Sequence, residues 1–201
     1  MLSIFNENNL VKLCVQQNSN AQKMLFDKYY PKMIAICLRY LKNEEDASEV
    51  LNNAFLKVFT KLEQYKAEGS LEGWIKRIVI NSALNFIRSN KTYRNKFILT
   101  GEFQSYGTPD EISSEAVDGL PNTASSLSQE QLFNMITDLP PATRVVFNLF
   151  VIEDFPHKQI AKQLDISEGT SKWHLSNARK LLKEKIKETV IKENRNSNYG
   201  K

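Results

Sequence analysis

The stretch PHKQIAKQLDISEGTSKWHLSNARK, residues 156–180, decides the fold of the C-terminal part of this 201-residue chain. Its apolar residues recur three and four positions apart, which predicts two short helices. The inward faces are Ile160, Ala161 and Leu164 in the first helix and Leu175, Ala178 and Leu182 in the second. Residues 165–167 form the turn, with Ile166 facing the core and Ser167 placed to cap the second helix. The stretch therefore predicts a helix-turn-helix.

The outer face of the second predicted helix is polar and carries Lys172, Trp173, Ser176 and Asn177. An α-helix fits the major groove of DNA, where such side chains can contact base edges. The alternative is an ordinary helical hairpin with a polar surface, and an exposed tryptophan beside Lys172 and His174 argues against it. Two residues depart from the usual pattern: Asp165 stands where a glycine usually makes the turn, and Ser171 where an apolar side chain usually packs.

Charge is spread unevenly along the chain, whose formal net charge is +4. Residues 1–90 are net +3, residues 91–155 net −5 and residues 156–201 net +6. Basic ends facing a polyanion and an acidic middle that avoids it would produce this distribution. Solvated surface charge explains it equally well, so the pattern alone does not decide between them.

Two helical blocks surround a polar segment. In the first block Asn43 is placed to cap a helix that reaches residue 62, Ser70 to cap the next, and Pro31 predicts a kink or break in the helix that precedes them. Residues 97–127 lose all periodicity and are rich in Gly, Pro, Ser, Asp and Glu, which predicts a flexible acidic linker. The second block restarts at Ser128 with a capping box.

The fold class predicted is all-α: two small helical domains joined by the linker, the second a four-helix domain that contains the helix-turn-helix. The predicted boundaries are 1–96, 97–127 and 128–190, followed by a disordered basic tail over 191–201.

Other classes of protein find no support in the sequence. Cys14 and Cys37 lie among apolar residues without a CxxC pattern, which predicts buried reduced thiols rather than a metal site. His157 and His174 lack partners at triad or metal spacing, and no Gly-rich phosphate loop is present, so we expect no enzyme activity, cofactor, metal or small-molecule substrate. Without a leader-like or long apolar segment, a cytoplasmic location and no membrane insertion are expected.

Four motifs in order resemble the extracytoplasmic-function group of sigma-70 family sigma factors. They are EEDASEVLNNAFLKVF, then GSLEGWIKRIVINSALNFIRSNK, then the linker, then LPPATRVVFNLFVIEDFPHKQIAKQLDISEGTSKWHLSNARKLL. The resemblance covers residues 10–96 and 128–188. It implies core RNA polymerase and promoter DNA as partners, and leaves open whether an anti-sigma protein is a third.

The resemblance assigns the first motif to binding the coiled-coil clamp of the polymerase large subunit. The residues implied are Asp46, Glu49, Asn52, Asn53 and Leu56. Glu49 stands where the family usually has Asp, and Asn52 where Gln is usual. Asn53 replaces a usual Glu, which removes a charge from that contact.

The second motif resembles the reader of the promoter −10 element. Arg77, Asn81, Asn85 and Arg88 recur along one helix face that suits a phosphate backbone and an unpaired base. The preceding loop, EQYKAEGS, corresponds to the family's loop that captures a flipped −10 base, where Tyr65 either stacks on the base or only packs. Trp74 is expected in the core rather than against a base.

By the same resemblance, the last motif implies that the helix-turn-helix reads the −35 element. Lys172, Trp173, Ser176 and Asn177 are then expected at base edges, with Arg144, Thr170 and Arg179 on phosphates. Two rival functions remain: a DNA-binding regulator that acts without polymerase, which leaves the first ninety residues unexplained, and a helical adaptor, against which the basic recognition helix counts.

Overall fold

The computed structural model describes residues 7–90 and 127–198, with side chains to residue 191, and every regular element in these ranges is helical. The chain divides into two compact units, Met1–Ser89 and Asn90–Lys201. The predicted all-α, two-domain organisation is confirmed. The linker predicted over 97–127 lies outside the described residues except for Leu127.

The first unit contains four α-helices within its described residues. They are α1 (Glu7–Val15), α2 (Ser19–Leu41), α3 (Glu44–Lys61) and α4 (Leu71–Ser89), with a 3₁₀ turn at Leu62–Gln64. Asn43 caps α3 by accepting hydrogen bonds from the backbone of Glu45 and Asp46, at 2.8 and 3.1 Å. Ser70 caps α4 through the N–H of Gly73 at 3.1 Å. Both predicted caps are confirmed.

The core of this unit lies where α2, α3 and α4 pack against one another. Its largest fully buried side chains include Tyr40, Phe55, Leu51 and Ile75. Glu7 fastens α1 to α2, since its carboxylate accepts from Lys28 Nζ at 2.8 Å and from the Tyr29 hydroxyl at 2.6 Å. Both neighbours lower the pKa of Glu7, and burial raises the pKa of Tyr29 to about 12.

Pro31 does not break its helix. α2 continues through it from Ser19 to Leu41, so the break allowed by the sequence does not occur. The proline side chain is exposed, while Tyr29 and Met33 on either side of it are buried. Packing of the neighbouring residues holds the helix together across the missing backbone donor.

The second unit has four α-helices in its described part. They are α5 (Gln129–Thr137), α6 (Pro141–Phe147), α7 (His157–Leu164) and α8 (Glu168–Asn198), with a π-helical turn at Asn148–Ile152 after α6. Ser128 and Gln131 form the predicted capping box, and Pro141 opens α6 as expected. The four-helix domain is confirmed. The tail is not: residues 191–198, predicted to be disordered, continue α8.

Both cysteines are free and buried, as predicted. Burial raises the pKa of Cys14 and raises that of Cys37 to about 12, so both thiols stay protonated at neutral pH. Among the helices described, none combines the length and the apolar character needed to cross a bilayer.

Candidate functional site

The turn between α7 and α8 is made by a residue that is not glycine. Asp165 ends α7 with φ 57° and ψ 49°, and its N–H donates to the Ala161 carbonyl. Asp is among the non-glycine residues that enter this left-handed region most readily. Ser167 then caps α8, accepting from the N–H of Thr170 at 2.9 Å. The helix-turn-helix therefore forms without the usual glycine.

Ser171, at a position where an apolar side chain usually packs, has a hydrogen-bond partner that the sequence pattern did not predict. Its hydroxyl is fully buried and lies 2.9 Å from Nδ1 of His157, the first residue of α7. The His157 ring stacks on Phe150 with centroids 4.4 Å apart. A polar pair between α7 and α8 thus replaces the apolar contact expected at this position.

His174, the other histidine, is buried, and the expectation that it lies beside Trp173 on the outer face is wrong. It is 5% exposed, and its Nδ1 lies 3.1 Å from the hydroxyl of Thr143 in α6. Burial lowers the pKa of His174 to about 4, so the ring is neutral at pH 7. The imidazole packs α8 against α6 because its position along α8 faces the core.

The outer face of α8 keeps the predicted base-reading residues together. Lys172 is exposed, and Trp173, Ser176 and Asn177 are half-buried. The indole of Trp173 packs edge-on against His174, with centroids 4.9 Å apart. Two predicted phosphate ligands, Thr170 and Arg179, are half-buried on the same helix, and the Thr170 hydroxyl is 2.8 Å from that of Ser167.

Arg144 does not belong with these residues, which corrects its assignment to phosphates. Its side chain is 3% exposed, and Nη1 donates to the Thr137 carbonyl at 2.6 Å. The guanidinium closes the C-terminal end of α5, where the backbone carbonyls lack partners within the helix. Because the guanidinium of Arg144 is buried and bonded to a backbone carbonyl, it is not available to contact DNA.

The exposed face of α4 carries all four residues predicted for the −10 element. Arg77, Asn81, Asn85 and Arg88 are each exposed, and the Arg88 guanidinium donates to the Asn85 side-chain oxygen. Positions that recur every three or four residues lie on one side of a helix, so these groups form a continuous polar strip.

A cleft of about 360 Å³ adjoins that strip. It is lined by Gln64, Tyr65, Lys66, Glu68, Gly69, Ser70, Gly73, Trp74 and Arg77. The Tyr65 hydroxyl donates to the Gly69 carbonyl at 2.6 Å, and its ring centroid is 5.7 Å from that of Trp74. Trp74, expected in the core, is half-buried and forms part of the wall. Arg77 belongs to both the cleft and the strip.

The outer face of α3 presents three of the predicted polymerase contacts, Glu49, Asn52 and Asn53, to solvent. Leu56 lies on the same face and exposes 64% of its surface, more than any other large apolar residue among the described part of the chain. Asp46, in the first turn, is half-buried. The other motif residues, Ala47, Phe55 and Val58, are buried on the opposite side, so the motif separates into a packing face and an outer face.

Metal binding finds no support in the described ranges, 7–90 and 127–198, where no three His, Cys, Asp or Glu residues are grouped closely enough to hold an ion.

Comparison with known proteins identifies both units. The family model for sigma-70 region 2 matches residues 25–93, and that for sigma-70, region 4 matches residues 129–182. The ECF RNA polymerase sigma-E factor of Haemophilus influenzae is 25% identical over 88% of this chain and 93% of its own length. Its Escherichia coli K12 counterpart is 24% identical over 90% of this chain and 94% of its own length.

Among solved structures, the sigma factor RpoE in complex with the anti-sigma factor NepR from Bartonella quintana matches with a TM-score of 0.46. It is 18% identical, over 82% of this chain and 96% of that chain. The two family models match the chain in the same order as the motifs, and together they contain most of the motif residues. The chain belongs to the sigma-70 family of RNA polymerase sigma factors, and to its extracytoplasmic-function group.

Proposed function

We propose that this sigma factor divides promoter recognition between its two units. The first unit binds core RNA polymerase through the outer face of α3 and opens the −10 element with α4. The second unit reads the −35 element as a duplex with α8. The chain performs no chemistry itself, and it acts in the cytoplasm, where polymerase and promoter DNA are found.

The observation that supports the proposal is that the first unit has two separate surfaces suited to different partners. Leu56 and its polar neighbours lie on α3, while the cleft and the polar strip lie on α4 and the loop before it. A regulator that acted without polymerase would need the helix-turn-helix alone. Burial of the exposed Leu56 side chain against polymerase would add a hydrophobic contribution to the polar contacts around it.

The chemistry of the cleft fits an unpaired base. Tyr65 and Trp74 offer aromatic surfaces for stacking, and Arg77 offers donors to a phosphate at the mouth. A base flipped out of the duplex loses its stacking, and stacking on an aromatic side chain of the cleft compensates for part of that loss. The strip from Asn81 to Arg88 would then follow the single strand beyond the flipped base.

The second unit supplies a duplex reader. α8 is held at both flanks by the His157–Ser171 and His174–Thr143 pairs, which leaves Lys172 and Asn177 on the outer side. A rigid helix of this kind can enter the major groove with its first turns. Core polymerase would fix the register of this short reader relative to the −10 contacts.

Run-off transcription with purified core polymerase tests the function directly. The full chain should direct transcription from a subset of promoters in a library, while core polymerase alone should not. A Glu49→Lys variant should lose this activity, whereas Asp27→Lys, a charge reversal on the exposed side of α2, should keep it. If the free chain binds duplex DNA but directs no transcription with core polymerase, the result would favour a DNA-binding regulator that acts without polymerase.

A further inference from the structure

Within the part of the chain that the structure describes, the imidazole ring of His157 makes contacts inside the protein through only one of its two nitrogens. It is half-buried at the start of α7, stacked on Phe150 and hydrogen-bonded through Nδ1 to Ser171 of α8. Among the described residues Nε2 has no hydrogen-bond partner. One ring nitrogen is therefore fixed in the protein, and the other is left for something outside it.

The surroundings of this imidazole are cationic. The pKa of His157 is lowered by burial first, then by Lys172 and Arg179, and raised only by Glu168. These three charged groups all lie on α8, and Lys158 follows His157 on α7 itself. Two further acidic residues, Glu153 and Asp154, lie in the connection before α7. An imidazole between two cations favours the neutral form until an anion arrives.

DNA provides such an anion. In a helix-turn-helix the first helix crosses the sugar-phosphate backbone while the second enters the groove. His157, at the start of the first helix, and Arg179, on the second, would then meet the phosphate backbone beside the groove that Lys172 enters. Phosphate oxygens accept hydrogen bonds from both an imidazolium and a guanidinium.

We propose that His157 and Arg179 form one phosphate-backbone site beside the base-reading Lys172, in which the imidazole takes up a proton when promoter DNA binds. This inference rests on the proposed role of the second unit as the −35 reader. Ser171 and Phe150 act as positioning residues that hold Nε2 toward the phosphate. Protonation keeps the Ser171 contact, because Nδ1 of an imidazolium donates to the hydroxyl oxygen.

The direction of the pH dependence follows from linkage. If bound DNA raises the pKa of His157, the complex holds more protons than the free chain at pH values between the two pKa values. Affinity for DNA then increases as pH falls through the pKa of the complex and levels off below the pKa of the free chain. Each unit by which the pKa of His157 in the complex exceeds its pKa in the free chain corresponds to at most about a tenfold gain in affinity.

Proton NMR of the full chain measures the titration itself, since the chain has two histidines and hence two imidazole Hε1 signals. A His157→Gln variant assigns the signals. The pKa of His157 should rise by about one unit or more when a duplex carrying the preferred −35 element is added. The signal of His174, which is buried with its pKa lowered to about 4, should not titrate between pH 6 and 8 and serves as the internal control.

Duplex binding by the holoenzyme, measured by fluorescence anisotropy at pH 6 and pH 8 over a range of salt concentrations, provides the second readout. Wild-type affinity should gain about tenfold at pH 6 relative to His157→Gln, and its salt slope should steepen by about 0.9, one extra phosphate contact. Comparing the two holoenzymes removes the titration of polymerase groups. Circular dichroism at each pH checks that both variants remain folded.

The outcomes separate this inference from the function on which it rests. If Lys172→Ala and Arg179→Ala weaken duplex binding but the His157 signal and the pH dependence do not change with DNA, the phosphate site is wrong and the −35 reader stands. If neither cation variant affects binding, the −35 assignment fails first, and the phosphate site fails with it.

Discussion

Leu56 is the residue whose exposure is hardest to explain within the free chain. It presents 64% of its surface to solvent, between Asn52 and Asn53 on one side and Thr60 on the other. Full burial of an exposed leucine side chain is worth about 1.5–3 kcal/mol of transfer free energy. Its removal should therefore affect binding far more than folding.

A Leu56→Asp substitution should weaken binding to core polymerase about tenfold or more, which corresponds to about 1.4 kcal/mol. The free energy of unfolding should change by less than about 0.5 kcal/mol, because the side chain is already in water. Affinity by anisotropy and stability by urea denaturation measure the two effects. Ile191→Asp, at a leucine-sized side chain that is 51% exposed on α8, is the matched control. Equal affinity of both variants would contradict the α3 interface.

His174 makes the stability of the second unit depend on pH. Its pKa is about 4 in the folded chain and near 6.5 when unfolded, so the unfolded chain binds the extra proton between these values. Stability is therefore full above pH 6.5 and decreases as pH falls toward 4. A difference of this size corresponds to roughly 3 kcal/mol across the window.

A His174→Gln variant should lose that component of the pH dependence, although it is less stable at pH 7.5. Trp74→Phe in both backgrounds leaves Trp173 as the fluorescent reporter of the second unit, since the chain has two tryptophans. Urea denaturation at intervals from pH 4 to 7.5 gives the slope of unfolding free energy against pH with His174 and with His174→Gln. Identical slopes in the two backgrounds would show that His174 does not carry this titration.

At the scale of single elements, the strip on α4 is expected to act after the duplex has been bound. Asn81 and Arg88 are exposed and lie about two and about four turns beyond the cleft residue Trp74 along the helix. They can reach a strand that leaves the cleft, and they make no contribution to the packing of the unit.

Replacing Asn81 or Arg88 with Ala should reduce open-complex formation about tenfold while changing closed-complex binding only slightly. Permanganate reactivity of unpaired thymines at the −10 element measures opening, and anisotropy measures duplex binding. Lys12→Ala, which removes an exposed cation from α1 of the same unit, controls for the loss of charge. Wild-type permanganate reactivity in both variants would exclude this face from strand opening.

The reading helix α8 should separate base contacts from phosphate contacts. Lys172→Ala or Asn177→Ala should weaken binding by about 1–3 kcal/mol at particular −35 positions and relax the preference there. Arg179→Ala should instead weaken all promoters alike and flatten the salt slope by about 0.9. Holoenzyme binding to a library of −35 sequences measures the preference profile.

The matched control for α8 is Lys183→Ala, at an exposed cation farther along the same helix. It should leave the preference profile unchanged because it lies beyond the turns that enter the groove. A wild-type profile in the Lys172 and Asn177 variants would mean that another element reads the −35 sequence.

For the whole molecule, the division into two compact units predicts that binding to polymerase is separable from reading the −35 element. α2, α3 and α4 pack mainly on one another, so the first unit contains its own core. A fragment of residues 1–96 should therefore fold and bind core polymerase. Glu49→Lys in that fragment should reduce binding without lowering its melting temperature.

Pull-down of core polymerase by the 1–96 and 128–201 fragments makes the comparison, with circular dichroism to verify folding. Binding carried by the second fragment alone would contradict the assignment of α3. The full chain should bind with higher affinity than either fragment wherever both units engage at once.

Local features were readable from the sequence by itself. The amphipathic repeats predicted α3, α4, α7 and α8, and the caps at Asn43, Ser70, Ser128 and Ser167 formed as expected, because a helix and its cap depend on residues at most a few positions apart. The exposed strip on α4 followed from spacing alone for the same reason. The end of α8 was misjudged because a polar, charged tail carries no apolar pattern to extend the helix.

Tertiary structure decided which of the polar side chains face outward. From the sequence, Arg144 and His174 were expected at the surface and Ser171 was noted as an irregularity. All three are buried, and they form hydrogen bonds with Thr137, Thr143 and His157, which lie 7, 31 and 14 residues away. The cleft at Tyr65 and Trp74 likewise forms only when the loop before α4 packs against the start of α4. Periodicity locates the inward side of a helix, but a buried polar group requires a partner from another element, and only packing brings that partner within hydrogen-bonding distance.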